Sequence, residues 1–300
     1  MTGYLFLALA LSAGAVKGYC GKRTSGFVQK SADAVFISFI RMLLCILIGA
    51  VLIIAAKDMA ELIPDAKTMP ICILSGLSTS AFVVFWMLAV RKSAYMLMDV
   101  FLMLGILIPL ILANILFGEP VKPTQWIGIA ALFVAVLIMC SYNISLKGKM
   151  SISSFLLLIL SGVSSGISDF SQKLFVRTTE NVPISVFNFY TYVFSALTLL
   201  ICFVVFNKRE KENADNEKSA IPNKMYAYVA IMAVCLFANS YFKTVAASIL
   251  DSAKLYPLNQ GASLIIASLM SAFLFGEKLT AKAIIGIVLS FIALLIINVL

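Results

Sequence analysis

The chain is predicted to be an all-α integral membrane protein of about ten transmembrane helices arranged as two inverted five-helix repeats, and three observations predict it. Composition is the first: of 300 residues, 62% are apolar and 12% charged, whereas a soluble domain carries about 25% charged residues. The second is the length of the apolar runs. Stretches such as 37–56 and 283–300 reach the roughly 20 residues that a helix needs to cross a hydrocarbon layer. They are too long and unbroken for the alternating strands of a membrane barrel, about ten residues each. The third is internal repetition. Leu116-Phe117-Gly118-Glu119 recurs as Leu274-Phe275-Gly276-Glu277, and Ile127-Gly128-Ile129 recurs at the same distance behind it as Ile285-Gly286-Ile287.

The elements follow in order. Helices are predicted near 2–20, 34–56, 69–90, 94–117 and 124–143, then near 152–174, 184–206, 225–248, 252–275 and 281–299, so the two repeats occupy 1–147 and 151–300. Pro64, Pro70, Pro120, Pro123, Pro183 and Pro222 fall at proposed ends, where a residue without an N–H does least harm. The segment 207–223, led by Lys208, Arg209, Glu210, Lys211 and Glu212, is predicted to be a solvated loop. In the first apolar run, Lys17, Lys22 and Arg23 follow the apolar residues. A secretory leader has its charges in front, so this run is expected to be a retained helix. Upstream, Ser93-Ala94 matches Ser252-Ala253, and Gly14 can be set against Gly166, which places Lys17 opposite Asp169. A repeat with an odd number of passes enters the membrane from the side opposite to its twin, and inverted repeats enclosing a midplane site are a recurrent plan of secondary transporters.

Several chemistries are excluded. The chain has no histidine, which removes imidazole bases and histidine metal sites. No glycine-rich phosphate loop is present, so no ATP-driven pump is encoded. The six cysteines lack paired spacing and lie largely in apolar runs, where they read as small hydrophobes. No cofactor and no metal is expected. The net charge of +9 sits in short connections and reads as orientation of helices, not nucleic-acid binding.

Ionisable residues inside membrane spans are costly and make default functional hypotheses. They are Lys17, Arg41, Asp99, Asp169 and Lys243. Lys17 and Asp169 can alternatively reach the interface, and Arg41 is assigned a structural role on helix-end carbonyls. Asn239 in the eighth helix and Tyr256, Asn259 and Gln260 in the ninth complete the cavity candidates. Pro257, with Gly261 close behind, is expected to kink or partly unwind the ninth helix, and Pro109 to bend the fourth. Gly118, Glu119, Gly276 and Glu277 read as structural, with the glutamates capping the next helix or pairing with Lys122 and Lys278. Gly14 with Gly18, and Gly162 with Gly166, have the spacing of close helix packing.

The repeated Phe-Gly-Glu, short loop and Gly-Ile helix, with Arg41 in the second helix and Pro109 in the fourth, resemble the EamA-type branch of the drug/metabolite transporter superfamily over essentially the whole chain. The resemblance implies a ten-helix carrier whose first, third, fourth, sixth, eighth and ninth helices line a central cavity. Departures are Ala267 where the fourth helix has Pro109, no arginine in the seventh helix to repeat Arg41, and no glutamate in the first helix. The last speaks against proton-coupled export of cationic drugs.

The expected function is alternating-access transport of a small polar organic metabolite, an amino acid or other carboxylate, driven by a substrate or ion gradient, so a coupling ion is a candidate partner beside the lipid bilayer. The alternative is a membrane-embedded enzyme or interaction scaffold without transport activity. The expected location is the cytoplasmic membrane of a bacterium. For orientation, Lys22, Arg23, Lys30, Arg91, Lys92, Lys147, Lys149, Lys208, Arg209 and Lys211 all fall in odd-numbered connections. The positive-inside rule then puts both termini outside, whereas the resemblance implies cytoplasmic termini. Lys17 and Asp169 are further expected to face one another across the internal axis.

Overall fold

A computed structural model describes residues 1–25, 31–58, 62–91, 98–144, 152–179, 181–212, 223–275 and 281–299. Among these, every regular element is an α-helix: α1 (Thr2–Ser25), α2 (Ser31–Ala56), α3 (Thr68–Arg91), α4 (Met98–Gly105), α5 (Leu107–Phe117), α6 (Pro123–Ile144), α7 (Ile152–Thr178), α8 (Ile184–Glu212), α9 (Asn223–Ile249), α10 (Ser252–Phe275) and α11 (Ala281–Val299). Seven of them are long and apolar enough to cross a membrane, and Phe101–Phe117, Pro123–Ile138 and Ile284–Val299 are shorter apolar segments. Helices satisfy their own backbone groups, as a hydrocarbon solvent demands. Large apolar side chains on their outer faces stay uncovered, among them Leu47 (62% exposed), Val51 (64%), Ile127 (63%) and Ile201 (66%). On a soluble protein such a belt would be an aggregation surface. Facing lipid, it is at home.

The fourth predicted helix is two. α4 and α5 are separated by a turn at Ile106, whose N–H bonds back to Met103 at 3.2 Å. Pro109 is the cause: it has no N–H to give the Gly105 carbonyl, and its ring crowds the preceding turn. The break packs on α7. A Cβ at Gly105 would overlap the Gly162 carbonyl, one at Gly162 the Phe101 carbonyl, and one at Gly166 the Gly105 carbonyl. Only hydrogen fits at these contacts, so the Gly162/Gly166 spacing is a backbone-to-backbone seam. Gly14 and Gly18 differ. A Cβ at Gly14 would meet only the Asn239 side chain, and Gly18 has open space. The partial unwinding expected at Pro257 is not observed: α10 runs unbroken through it. Pro257 lies in the second turn, where the one hydrogen bond it omits does not stop the helix.

The helices of the two sequence halves interleave. The broadest interfaces are α1 with α9, α3 with α7, α2 with α8 and α6 with α11, each joining a helix before residue 147 to one after it. Counting α4 and α5 as one pass, α1–α9 and α3–α7 are exchanged when every pass is swapped for the one five places on. The pairs α2–α9 and α3–α8 exchange in the same way, as do α1–α10 and α4–α7. One apolar core joins α1, α4, α5, α6, α7, α10 and α11 around Leu7, Met103, Leu110, Leu132, Leu158 and Leu264. A second joins α2, α3, α8 and α9 around Val35, Met42, Cys45, Leu199 and Phe237.

Candidate functional site

Two polar clusters interrupt the apolar bundle. The first is central. Lys243 of α9 pairs with Asp169 of α7, Nζ to Oδ1 at 2.5 Å, with the side chains only 14% and 13% exposed. Tyr256 of α10, 1% exposed, donates its hydroxyl to the Asp169 carbonyl at 2.8 Å. Lys17 of α1 and Arg41 of α2 are half-buried, and the buried Nε of Arg41 has no hydrogen-bond partner. Asn239, one turn before Lys243, donates Nδ2 to the Ala10 carbonyl at 2.6 Å and so ties α9 to α1. Beside this lies a buried chain in which Gln172 donates to Ser240 at 3.4 Å and Ser240 to Asn188 Oδ1 at 2.6 Å. Helices from before residue 147 and from after it all contribute.

The second cluster forms where α5 turns into α6. Gly118 caps α5 in the left-handed conformation, φ 65°, its N–H reaching Asn114 O at 3.1 Å while the Glu119 N–H reaches Ala113 O at 3.3 Å. Glycine takes this conformation without steric cost. The turn directs Glu119 inward, 7% exposed, where Oε1 meets Lys173 Nζ at 2.8 Å and the Arg177 guanidinium. Its Oε2 accepts the N–H of Ser252, the first residue of α10, at 2.9 Å. Lys173 is 1% exposed and spends its remaining donors on Ala247 O at 3.1 Å and Leu250 O at 2.8 Å, at the end of α9. An ammonium has three donors, and all three are used. A carboxylate caps the positive end of α10 while an ammonium caps the negative end of α9. Burial pushes the Glu119 carboxyl up, but the hydrogen bonds from Lys173, Ser252 and Arg177 outweigh it and hold the group at about 2.

A family model described as the EamA-like transporter family matches residues 1–141 and 152–299. That is nearly the entire chain. The chain belongs to the EamA-like transporter family. It is therefore a member of the drug/metabolite transporter superfamily and an integral membrane protein of transporter type. A comparison with curated proteins finds no match. Among solved structures, 28 chains match; one crystal structure, described only as that of a protein, aligns with a TM-score of 0.79 at 13% identity, covering 99% of this chain and 96% of the other. At that identity the likeness speaks for the fold alone.

In this EamA-like chain Asp169, Lys243 and Tyr256 come together as described, with Asn239 one turn from Lys243. The expected Lys17–Asp169 pair is not formed: the partner of Asp169 is Lys243, which reaches it because α7 and α9 meet at this level. Asn259, with a buried Oδ1 lacking a hydrogen-bond partner, and half-buried Gln260 lie on α10 beyond Tyr256. Asp99 sits in the first turn of α4, and its side chain lies outside the described residues, as do Gly276, Glu277 and Lys278. Glu119 has partners other than those expected. It caps α10, not the next helix, whose start is capped by Gln125 accepting the Lys122 N–H at 2.9 Å. Arg177 was missed as a partner because the sixth helix was expected to end at 174, and α7 runs to Thr178; Lys173 stood at that expected end and was not singled out. The spacing Asp169, Lys173, Arg177, a row at i, i+4 and i+8 on one helix face, was the available signal.

Proposed function

We propose that this family member is a secondary transporter of a small polar organic metabolite bearing a carboxylate, working by alternating access of a central site. One observation carries the substrate class. Among the described residues, the half-buried cations Lys17, Arg41 and Lys243 lie within membrane spans, and the carboxylate ion-paired to one of them is Asp169, on Lys243. A charge in a membrane interior is costly unless it is compensated, and a carboxylate ligand supplies the compensation. Mechanistically, two inverted halves, 1–147 and 151–300, rock against each other about the site. The exchange of interfaces between passes five apart supports that symmetry. With each pass reversing direction, the Glu119 turn, the end of α7 and the α9–α10 connection fall on one membrane face, and their ion-paired cluster closes the bundle there. The break at Pro109 against the glycine seam of α7 supplies a joint for the motion. The membrane is taken to be the cytoplasmic membrane of a bacterium, and the driving force a gradient of the substrate or of a coupling ion.

The test is purified protein in proteoliposomes, assayed for uptake and counterflow of radiolabelled succinate, propionate, aspartate and glucose. Accumulation of a carboxylate above that of protein-free vesicles, lost in Asp169→Asn and Lys243→Met, is the expected result. Absence of carboxylate transport under any imposed ion gradient would sink the reading.

A further inference from the structure

We propose that Lys173 is a coupling residue of the transport cycle: when a substrate carboxylate takes Lys243, Lys173 leaves Glu119 for Asp169, and the ion pairs of the two polar clusters shift by one partner. This rests on the reading of the Asp169–Lys243 pair as the substrate site. The two clusters share one face of α7. Asp169, Lys173 and Arg177 follow one another at i, i+4 and i+8, a spacing that stacks side chains along a helix. Asp169 holds Lys243 of α9 at 2.5 Å. One turn on, Lys173 holds Glu119 at 2.8 Å and donates to Ala247 O and Leu250 O, one and two turns beyond Lys243. Arg177 completes the row on the same Glu119 oxygen. The first turns of α10 also span both clusters, since Ser252 gives its N–H to Glu119 and Tyr256, four residues later, its hydroxyl to the Asp169 carbonyl.

Through these direct contacts three cations face two carboxylates: Lys243, Lys173 and Arg177 against Asp169 and Glu119. Asp251, in the α9–α10 connection, is exposed, and its charge is met by water. A single substrate carboxylate brings the row to three and three. With the substrate on Lys243, that ammonium has donors left for Asp169, but one positive charge then serves two negative ones while Glu119 keeps two cations. In a low-dielectric interior such an imbalance is costly. Moving Lys173 by one turn removes it, with the substrate on Lys243, Asp169 on Lys173 and Glu119 on Arg177. An acidic residue four positions before a lysine is the favourable order for a helical pair, and a long helical side chain leans toward the preceding turn. The move takes Lys173 away from Ala247 O and Leu250 O, so the end of α9 loses its positive cap and the α9–α10 connection loosens. Occupancy of the centre thereby releases the cluster that closes one membrane face.

The experiment is hydrogen–deuterium exchange of the full-length purified protein, read by mass spectrometry over peptides covering 246–256. It is run with and without succinate, propionate and aspartate at constant ionic strength, beside uptake of each in proteoliposomes. A carboxylate that is taken up is expected to speed exchange in that segment about tenfold, a loss of about 1.4 kcal/mol of local protection. Asp169→Asn offers Lys173 no negative partner, so it should bind the same carboxylate, seen as a rise in melting temperature, without speeding exchange. Lys173→Arg keeps the charge and should keep the response. Lys173→Met combined with Glu119→Leu replaces the ion pair by apolar groups and should fold without it. Its uptake should show a KM raised about tenfold, because Asp169 then gives up Lys243 with no replacement; a purely structural Lys173 would leave KM unmoved. Exchange that a transported carboxylate leaves unchanged or slows, an Asp169→Asn variant that keeps the response, or an unmoved KM in the double variant would overturn the coupling and leave the transport reading standing. If none of the carboxylates is taken up, both fall.

Discussion

Glu119→Gln perturbs one atom of the cluster at the α5–α6 turn and isolates the contribution of its charge. In the native protein Glu119 compensates Lys173 at 2.8 Å, engages Arg177 and caps α10 through Ser252. Lys173 is 1% exposed, so glutamine leaves an ammonium in the interior with two carbonyls and no counterion. Removing one partner of a buried pair costs about 3–5 kcal/mol. The lower end applies, because glutamine keeps an amide oxygen as acceptor and Arg177 is partly exposed and can turn to water. At about 2 °C per kcal/mol for a chain of this size, a loss of about 3 kcal/mol lowers the melting temperature by about 6 °C. The double variant Glu119→Leu with Lys173→Met should recover much of that loss, since apolar groups of similar volume can replace a buried ion pair. The pH dependence has a definite sign. A carboxyl held at about 2 against a normal value of 4.5 contributes stability fully above pH 4.5 and loses it as pH falls through about 2. Between pH 7 and 5, therefore, the melting difference between wild type and Glu119→Gln should stay constant. Scanning calorimetry or dye-based melting of purified protein at those pH values provides the measurement. A Glu119→Gln melting point within about 1 °C of wild type, or a double variant no better than the worse single, would refute the account of a buried ion-paired lock.

The remaining predictions concern the joint and the central pair. Gly166→Ala should sharply reduce folded yield, because the added methyl meets the Gly105 carbonyl, a backbone atom that cannot turn aside; Gly18→Ala, in open space, should yield like wild type in size-exclusion chromatography. Lys243→Met should lower melting by about 3 kcal/mol by stranding Asp169, and adding Asp169→Asn should restore stability without restoring uptake, which separates the structural from the transport contribution of the pair. Tyr256→Phe removes a single hydrogen bond to the Asp169 carbonyl, and the melting measurement should show a loss of about 1 kcal/mol.

Much of the fold was legible because lipid imposes a one-dimensional signal. A span must be apolar along its whole length, so its existence and approximate place are written in composition, as with α2 and α8. The repeat of Phe-Gly-Glu was readable for a similar reason: the glycine is demanded by local backbone geometry, the left-handed cap at Gly118, which depends on no distant residue. The break at Pro109 was readable too, although its severity was not. Proline's missing donor is local, but whether a helix absorbs it depends on surroundings. Pro109 lies in mid-pass and divides α4 from α5, whereas Pro257 lies near a helix start and does not.

The ion pairs show the limit. Lys243 was a candidate for its depth alone, and nothing in its own helix named Asp169, 74 positions away, as its partner. Glu119 was expected to cap the next helix or pair with its sequence neighbour Lys122, yet its carboxylate reaches 54 and 58 positions ahead to Lys173 and Arg177. By itself, the sequence determined that this chain lies in a membrane, that it is helical and roughly where each pass begins, because burial in lipid and backbone geometry act residue by residue. Which charges find counterions was decided only by the tertiary structure. An electrostatic partner is chosen by proximity in space, and the interleaving of helices from the two ends of the chain makes that proximity independent of separation along it.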